Sequence, residues 1–402
     1  MNIYNCHTHS FTLDHVPNRL FKVLPLNFAR KTGFFKWLMK NLPRIFKRGN
    51  DILDRYASLL ALINEKNQEE VFEKVLNSYP KGTKFVSLTM DMEHMSAGKP
   101  AVPFINQLEE LAALKKKYKD ILLPFVCADA RNENVTELVK NFILNKGFHG
   151  IKLYPALGYY VFDYRLHEIY HFAIENNIPI IAHCAKGVIY DRAKITDTAR
   201  IHPVTGQIFN EKKKRNFTTH YGDPINLEYL LNTHKLQIYM DKFCNGAKAP
   251  DFSKLKICLA HFGGDDEWGK YLNTPWNPLA NNLPENTNWF SEIRDLIYKY
   301  DNVYSDISFS LANEKIFPLL KIMLEEGRIA ANGNITEEEK NKKKLRERIL
   351  FGTDYFLVEQ KSTERNLVVN LRAFISDRNF IQIAEKNPKE FLSNKINNKF
   401  VV

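Results

Sequence analysis

The sequence contains few cysteines and none of the cysteine spacings that build a covalent or metal-bound framework. Five cysteines occur in 402 residues, and no two of them form a CxxC pair. They are spread along the chain as Cys6, Cys127, Cys184, Cys244 and Cys258. An odd number of scattered cysteines argues against a disulfide scaffold, and a thiolate zinc site would need closer spacing. We therefore expect free thiols in a reducing compartment and predict a cytoplasmic protein.

Long apolar runs are also missing. No run reaches the roughly 18 consecutive apolar residues that indicate a transmembrane helix. The N-terminal string MNIYNCHTHS does not combine a basic region with an apolar one, so no secretory signal is predicted. The hydrophobic fraction of 44% nevertheless suffices for a folded core, which excludes a mainly disordered chain.

Acidic residues are absent from one segment, and this absence accounts for most of the net charge. The chain carries 57 Lys and Arg against 46 Asp and Glu, a net charge of +11. Residues 16–50 hold nine of the basic residues, no acidic ones and many large apolar side chains. We predict that this segment forms a lid or a dimer contact, with peripheral binding to an anionic membrane or to another protein as alternatives. The rest of the chain is nearly neutral, so no nucleic-acid partner is expected.

Short apolar runs bounded by polar or turn residues recur along the whole chain. Most are continuous rather than alternating, which is typical of strands buried on both faces of a parallel sheet. Eight such runs lie at residues 2–7, 84–92, 121–129, 150–156, 178–185, 256–264, 302–310 and 349–356. Helical patterns separate them, so the order predicts a (β/α)8 TIM barrel of the α/β class. A doubly wound sheet would require a glycine-rich phosphate turn after the first strand, and none is present.

The chain is longer than a barrel requires. A TIM barrel needs roughly 250 residues, whereas this chain has 402. We predict a single domain over residues 1–402 that is enlarged by two insertions after strands 1 and 5. These are a basic, aromatic-rich insertion at 11–80 and an active-site loop insertion at 186–224. The mixed charge run at 336–348 is predicted to be a solvated helix or loop.

Polar side chains occupy the ends of several predicted strands, and the strands of a barrel converge on one mouth there. These residues are His7, His9, Lys152, His183, His261, Asp306 and Asp354. A single histidine at a strand end is ordinarily a hydrogen-bonded core residue, but packing gives no reason for three strands to end alike. His7 and His9 are two apart on a strand, so both face the same side. Nitrogen and oxygen donors of this kind predict a site for Zn2+, Mn2+ or Fe2+.

Three other polar residues have more than one interpretation. Asp306 either orients a histidine ligand or caps the seventh strand. His202 and His220, in the second insertion, either reach the mouth or pack in the loop. The remaining histidines lie in predicted helices and loops, where an ordinary structural role is expected.

Four motifs together resemble the metal-dependent amidohydrolase superfamily. They are the HxH pair at 7–9, AHCAKG around His183, LAHFGG around His261 and FGTDYF around Asp354. The segments GDPIN at 222–226, VYSDIS at 303–308 and NPKEFL at 387–392 resemble the branch that contains aminocarboxymuconate semialdehyde decarboxylase. The resemblance implies a distorted TIM barrel and one metal with four ligands, His7, His9, His183 and Asp354. It also implies that His261 is the catalytic histidine.

Another family begins with a similar HTHS string, the polymerase and histidinol phosphatase class. Its members usually continue with a short Ser-Asp-Gly turn and carry further histidine motifs, and these are absent here. The FGTDYF segment around Asp354 fits the amidohydrolases better.

The number of metal ions depends on Lys152, which lies on the fourth predicted strand. In binuclear amidohydrolases a carbamylated lysine on this strand bridges two metals, and His261 would then bind the second one. We favour one ion, zinc, with Lys152 unmodified. Lys152, together with Lys186 or Arg192, is then placed to hold an anionic group of a substrate.

The resemblance implies a hydrolase that attacks an amide, ester or lactone carbonyl of a small anionic substrate through a metal-activated water. Asp354 would take the proton of this water and deliver it to the leaving group, and His261 would stabilise the oxyanion. A non-oxidative decarboxylase that uses the same residues is the first alternative. A non-catalytic scaffold with a membrane- or partner-binding basic segment is the second. Family habit also implies a homodimer.

Overall fold

The structure, a computed structural model, describes residues 2–20, 65–187, 189–273, 288–327, 335–356 and 362–396. Eight parallel strands form one sheet, in which each strand pairs with the next along the chain. They are β1 (Tyr4–Thr8), β2 (Lys84–Leu88), β3 (Leu122–Cys127), β4 (Gly150–Leu153), β5 (Ile180–Ala185), β6 (Ile257–Gly263), β7 (Val303–Asp306) and β8 (Ile349–Leu350). Each strand lies within one of the predicted apolar runs or overlaps it.

Hydrogen bonds between β1 and the chain that follows β8 close the sheet into a barrel. The Cys6 backbone N–H donates to the Phe351 carbonyl at 2.9 Å. The Asp354 N–H likewise donates to the His7 carbonyl at 2.8 Å. The (β/α)8 TIM barrel predicted from the sequence is confirmed.

Helices connect the strands along the chain. In order they are α1 (Gln68–Asn77), α2 (Phe104–Tyr118), α3 (Val135–Asn145), α4 (His167–Asn176), α5 (Lys214–Phe217), α6 (Ile225–Leu231), α7 (Thr233–Phe243), α8 (Asp265–Asn273), α9 (Trp289–Lys299), α10 (Phe317–Glu326), α11 (Glu337–Arg348), α12 (Glu364–Ile375), α13 (Asp377–Ile381) and α14 (Asn387–Leu392). Helix α2 shows the common pattern, because Leu108, Leu111 and Ala112 recur at helical spacing and are buried. The charged run at 336–348 forms α11, which Thr336 caps.

A cluster of buried apolar side chains joins seven of the strands to α14, the helix that lies at the end of the barrel where β4 begins. Its side chains are Cys6, Val86, Leu88, Leu123, Phe125, Ile181, Cys258, Ala260, Tyr304 and Leu350, packed with Phe391 and Leu392 of α14. The Leu392 carbonyl accepts a hydrogen bond from His149, which lies just before β4, at 2.6 Å. Helix α14 therefore closes this end, and the opposite end is left for polar side chains.

The two predicted insertions are described to different extents. Between β1 and β2 the structure describes residues up to 20 and from 65, including α1. Residues 21–50, most of the basic segment 16–50, lie outside the described residues, so its predicted roles stay predictions. In the second insertion, α5 is preceded by a two-residue antiparallel bridge between Ile201 and Ile208. None of the helices described is long and apolar enough to cross a membrane.

Candidate metal centre

The two histidines of the first strand point the same ring nitrogen into the mouth of the barrel. His7 contacts an Asp306 carboxylate oxygen through Nδ1 at 3.0 Å. His9 contacts the Leu88 carbonyl through Nδ1 at 2.9 Å. Both partners are acceptors, so each Nδ1 carries a proton, and in the neutral tautomer that a metal ligand requires the other nitrogen is unprotonated. The lone pair of each ring therefore lies on Nε2.

Asp354 meets both of these nitrogens. Its Oδ1 atom lies 3.6 Å from His7 Nε2 and 3.3 Å from His9 Nε2. Within the described part of the chain, neither Asp354 Oδ1 nor His7 Nε2 has a hydrogen-bond partner, although both are buried. Asp354 reaches this position with a left-handed backbone, φ +63°. A Cβ at Gly352 would lie 2.8 Å from the His7 Cβ, so glycine is needed for this close approach.

His261 and His183 form a second pair of facing nitrogens. His261 also has a left-handed backbone, with φ +68°. Its Nδ1 lies 3.2 Å from the Ser308 carbonyl, and His183 Nε2 lies 3.0 Å from the Ala185 carbonyl. Each of these nitrogens must donate, because a carbonyl only accepts. The two remaining lone pairs, on His261 Nε2 and His183 Nδ1, are 3.0 Å apart. Tyr154 stacks on the His183 ring with centroids 4.0 Å apart.

Asp306 is surrounded by donors and so is not a free ligand. One oxygen accepts from His7 Nδ1, and the other accepts from the His261 and Ser308 backbone N–H groups, each at 3.0 Å. The Ser308 hydroxyl also donates to this second oxygen. Of the two interpretations left open by the sequence, the contacts favour the carboxylate that orients histidines.

The protonation states suit a metal site. Burial lowers the pKa of the His7, His183 and His261 imidazoles, for His261 to about 4. Burial alone would raise the pKa of the Asp306 carboxyl, but the adjacent His7 outweighs it and the net direction is downward. At neutral pH the site therefore contains neutral imidazoles and an anionic Asp306, and bound metals require neutral imidazoles.

Two groups of side chains in the described residues are close enough to hold an ion. The ligand atoms of His7, His9 and Asp354 lie within 4.8 Å of one another, and so do those of His7, His261 and Asp306. The first group consists of atoms that only accept, and such atoms repel unless a cation lies between them. The donor set therefore fits a divalent ion. His183 is in neither group, and His261 lies between it and His7.

Lys152 lies inside the barrel on β4. It is fully buried, and its Nζ has no hydrogen-bond partner among the residues the structure describes. The ammonium lies 5.9 Å from the centre of the Tyr154 ring. Burial lowers the pKa of Lys152, whereas the charges of Asp306 and Asp354 act in the opposite direction.

The other two predicted substrate-binding cations contact protein groups. Lys186 pairs with Glu267 at 3.0 Å and lies 5.0 Å from the Trp289 ring centre. Arg192 donates to the Leu20 carbonyl at 3.0 Å. Their assignment to an anionic substrate stays a prediction.

The two histidines of the second insertion also have protein partners. His202 bonds to Asn226 through Nε2 at 3.1 Å. His220 contacts the Phe217 carbonyl and stacks on Phe209. Both are buried among aromatic rings, and neither belongs to the two groups of candidate ligands found in the described residues.

The sequence reasoning missed a second group of buried charges, after β2 and β3. Arg131 clamps Asp129 through Nε at 2.9 Å and Nη2 at 2.6 Å, and it donates to the His94 carbonyl at 2.7 Å. Asp91 lies beside them, with Oδ2 at 3.7 Å from His94 Nε2. Burial and the Asp129 charge raise the pKa of Asp91 to about 6. Acids at the ends of two adjacent predicted strands, Asp91 in the run 84–92 and Asp129 in the run 121–129, were the available signal.

Replacing Asp91 by Asn is expected to stabilise the protein at pH 7 but not at pH 4. The pKa of Asp91 is about 6 in the folded protein, above the value of about 3.9 in the unfolded chain. The free energy of unfolding of the wild type therefore falls as the pH rises from the unfolded to the folded pKa. Asn removes the buried charge and keeps the acceptor for the Glu93 N–H. The gain at pH 7 should be on the order of 2 kcal/mol, measured by denaturant unfolding. Asp129→Asn is the matched control and should destabilise, because it breaks the clamp by Arg131. A loss of stability in Asp91→Asn at pH 7 would contradict the assignment.

Comparisons with known proteins agree with this architecture. The Amidohydrolase family model matches residues 79–393. No curated protein sequence matches the chain. The structure is similar to an uncharacterised TIM-barrel protein of Bordetella bronchiseptica, with a TM-score of 0.50 and 16% identity over 98% of each chain.

Two decarboxylases also align with the structure at lower scores. The 5-carboxyvanillate decarboxylase LigW of Sphingomonas paucimobilis gives a TM-score of 0.49 at 12% identity, over 97% of this chain and 98% of that one. The 2,6-dihydroxybenzoate decarboxylase of Rhizobium gives 0.47 at 14% identity over 98% of each chain. The similarity to the Bordetella bronchiseptica protein, at 16% identity, shows the fold alone. Because the family model covers most of the chain, this protein belongs to the amidohydrolase family of enzymes.

Proposed function

We propose that this protein is a metal-dependent hydrolase that acts on an amide, ester or lactone of a small anionic substrate. The observation that carries the proposal is the set of acceptor atoms at the mouth of the barrel. Lone pairs of four imidazoles and an oxygen of Asp354 face this space, while the ring protons are held by Asp306, Leu88, Ala185 and Ser308. Such an arrangement is unfavourable without a cation.

His7, His9 and Asp354 would hold the ion, with His183 as the fourth ligand. Members of the amidohydrolase superfamily generally bind divalent metals. The chemistry that such an ion supplies is Lewis acidity, which polarises a carbonyl and lowers the pKa of a water molecule. Zinc is the ion we favour, and manganese or iron suit the same nitrogen and oxygen donors.

Asp354 and His261 would move the protons. The Asp354 carboxylate faces the mouth with Oδ1 and can accept the proton of an attacking water, then return it to the leaving group. His261 faces the same space with the Nε2 lone pair, because Ser308 holds its other nitrogen. A proton that Nε2 takes up from bulk solvent, and later returns to it, would turn this ring into a donor for the developing oxyanion.

An assay panel on the metal-loaded protein tests the proposal. Amides, esters and lactones of small carboxylic acids are compared with aromatic carboxylates, and acid release and CO2 release are recorded for each. Hydrolysis that the Asp354→Ala variant lacks supports the proposed reaction. CO2 release without hydrolysis would replace it by decarboxylation. Purified protein that contains no metal and takes up none when Zn2+ is added would support a non-catalytic scaffold.

Lys152→Met is expected to leave the metal content at one ion per chain while it lowers turnover of anionic substrates. We propose that Lys152 acts as an unmodified ammonium, so its removal takes away a positive charge and no ligand. Metal analysis and steady-state kinetics on the purified variant check both parts. Lys235→Met is the matched control, since Lys235 lies on α7, is paired with Glu228 at 2.9 Å and is not one of the predicted site residues. A wild-type protein with two ions that falls to one in Lys152→Met would show a binuclear site instead.

A further inference from the structure

Asn5, the second residue of β1, uses all of its hydrogen-bonding capacity. Its Oδ1 accepts from the His7 backbone N–H at 3.3 Å and from the Thr353 N–H at 3.1 Å. Its Nδ2 donates to the Thr353 hydroxyl at 2.8 Å and to the Tyr79 hydroxyl at 3.0 Å. The side chain is fully buried. Two acceptor and two donor bonds satisfy the amide completely.

These bonds join the two chain segments that carry the candidate ligands. One segment is β1 with His7, and the other is the stretch after β8, where Thr353 precedes Asp354. Strand β8 ends at Leu350, and beyond it the stretch pairs with β1 through an isolated parallel bridge between Thr8 and Tyr355 and not through a continuous ladder. The Asn5 side chain continues the connection beyond that point, together with the bond from Asp354 N–H to the His7 carbonyl at 2.8 Å.

Tyr79 and Glu364 fix the orientation of the Asn5 amide. The Tyr79 hydroxyl donates to Glu364 at 2.6 Å, so it can only accept from Asn5. Nδ2 of Asn5 is therefore directed at Tyr79, and Oδ1 is directed at the two backbone N–H groups. Tyr79 lies two residues beyond α1, and Glu364 is the first residue of α12. The amide is thus anchored to two helices outside the barrel.

We infer, on the basis of the proposed metal site, that Asn5 is a positioning residue that sets the separation between His7 and Asp354. It touches neither ligand side chain, and it acts through the backbone of His7 and of the residue before Asp354. The two ligand atoms are 3.6 Å apart. A metal requires its ligands at well-defined spacing, so a shift of either backbone weakens binding.

Three variants separate positioning from packing. Asn5→Ala removes the acceptor that holds both backbones. Asn5→Asp keeps the acceptor for both N–H groups, and the Thr353 hydroxyl can turn to donate to the second oxygen of the new carboxylate. Tyr79→Phe removes one partner of Asn5 and the bond to Glu364 but leaves the His7 and Thr353 bonds. Zn2+ affinity is measured by competition with a chromophoric chelator, the Co2+ visible spectrum reports ligand geometry, and thermal melting of the metal-free protein reports stability.

Asn5→Ala is expected to bind Zn2+ roughly tenfold or more weakly than wild type, with an altered Co2+ spectrum. Asn5→Asp should bind with wild-type affinity, and Tyr79→Phe should melt at lower temperature with unchanged affinity. If Asn5→Ala does not fold, Asn5→Ser takes its place. The serine side chain is too short to reach both the His7 and the Thr353 N–H groups, so the same loss of Zn2+ affinity is expected. Unchanged Zn2+ affinity in Asn5→Ala, or affinities that follow melting temperature in all variants, would overturn the inference. Wild-type protein that binds neither Zn2+ nor Co2+ would instead overturn the proposed function.

Discussion

Replacing Asp354 by Ala is expected to remove the metal and the turnover together. The Asp354 oxygen lies beside the Nε2 atoms of both His7 and His9, and it is the anionic member of the cluster. Without it, only the two imidazoles remain at this point, and the charge of a divalent ion is no longer compensated. Removing a residue that hydrogen-bonds a metal ligand typically lowers metal affinity roughly 10–100-fold. Removing the ligand itself should lower the affinity further. The purified variant should therefore contain almost no metal.

The measurement is metal content by elemental analysis, with activity on the substrate class identified for the wild type. Asp354→Asn keeps the shape of the side chain and one of its oxygens but removes the negative charge. It should still bind the metal weakly, so it separates the effect of losing the charge from the effect of losing the side chain. Asp91→Asn is the matched control: it also neutralises a buried carboxyl after a strand, but outside the cluster, and its metal content should equal that of wild type. Wild-type metal content in Asp354→Ala would remove Asp354 from the ligand set.

The sequence predicted the barrel well, but it predicted strand ends less well. The run at 349–356 indicated a strand throughout, whereas β8 contains only Ile349 and Leu350. Phe351, Gly352 and Thr353 are fully buried all the same. An apolar run indicates burial, and burial continues into the mouth after the regular strand β8 has ended. Pairing depends on the neighbouring strand and is not encoded locally.

The same distinction applies to the site. Position at strand ends was enough to predict that His7, His9 and Asp354 lie close together, because convergence at the mouth follows from the fold. The contribution of Asn5 depends on a contact with Thr353, 348 residues away. The pairing of Lys186 with Glu267 spans 81 residues. No local pattern reports such contacts, so the residues that hold the ligands in place emerge only from the structure.

Replacing Asp306 by Asn is expected to weaken metal binding strongly although Asp306 is not a proposed ligand. In the wild type, one Asp306 oxygen accepts from His7 and the other accepts from the His261 and Ser308 backbone N–H groups. An asparagine side chain has only one oxygen and cannot accept on both sides. If the oxygen stays with the backbone N–H groups, the amide NH2 faces His7 Nδ1. The His7 ring must then carry its proton on Nε2, which removes the lone pair directed at the metal. The affinity should fall roughly 10–100-fold.

Stability must be measured separately, because a donor left without its acceptor costs about 1–3 kcal/mol. Thermal melting of the metal-free variant measures the loss of stability, and competition with a chelator measures the Zn2+ affinity. Cys258→Ala is the matched control, since the Cys258 thiol approaches the same Asp306 oxygen at 3.8 Å without affecting the His7 proton. It should bind Zn2+ as wild type does. If Asp306→Asn also bound Zn2+ with wild-type affinity, the Nε2 atom of His7 would not be a ligand, because its lone pair depends on the bond from Nδ1 to Asp306.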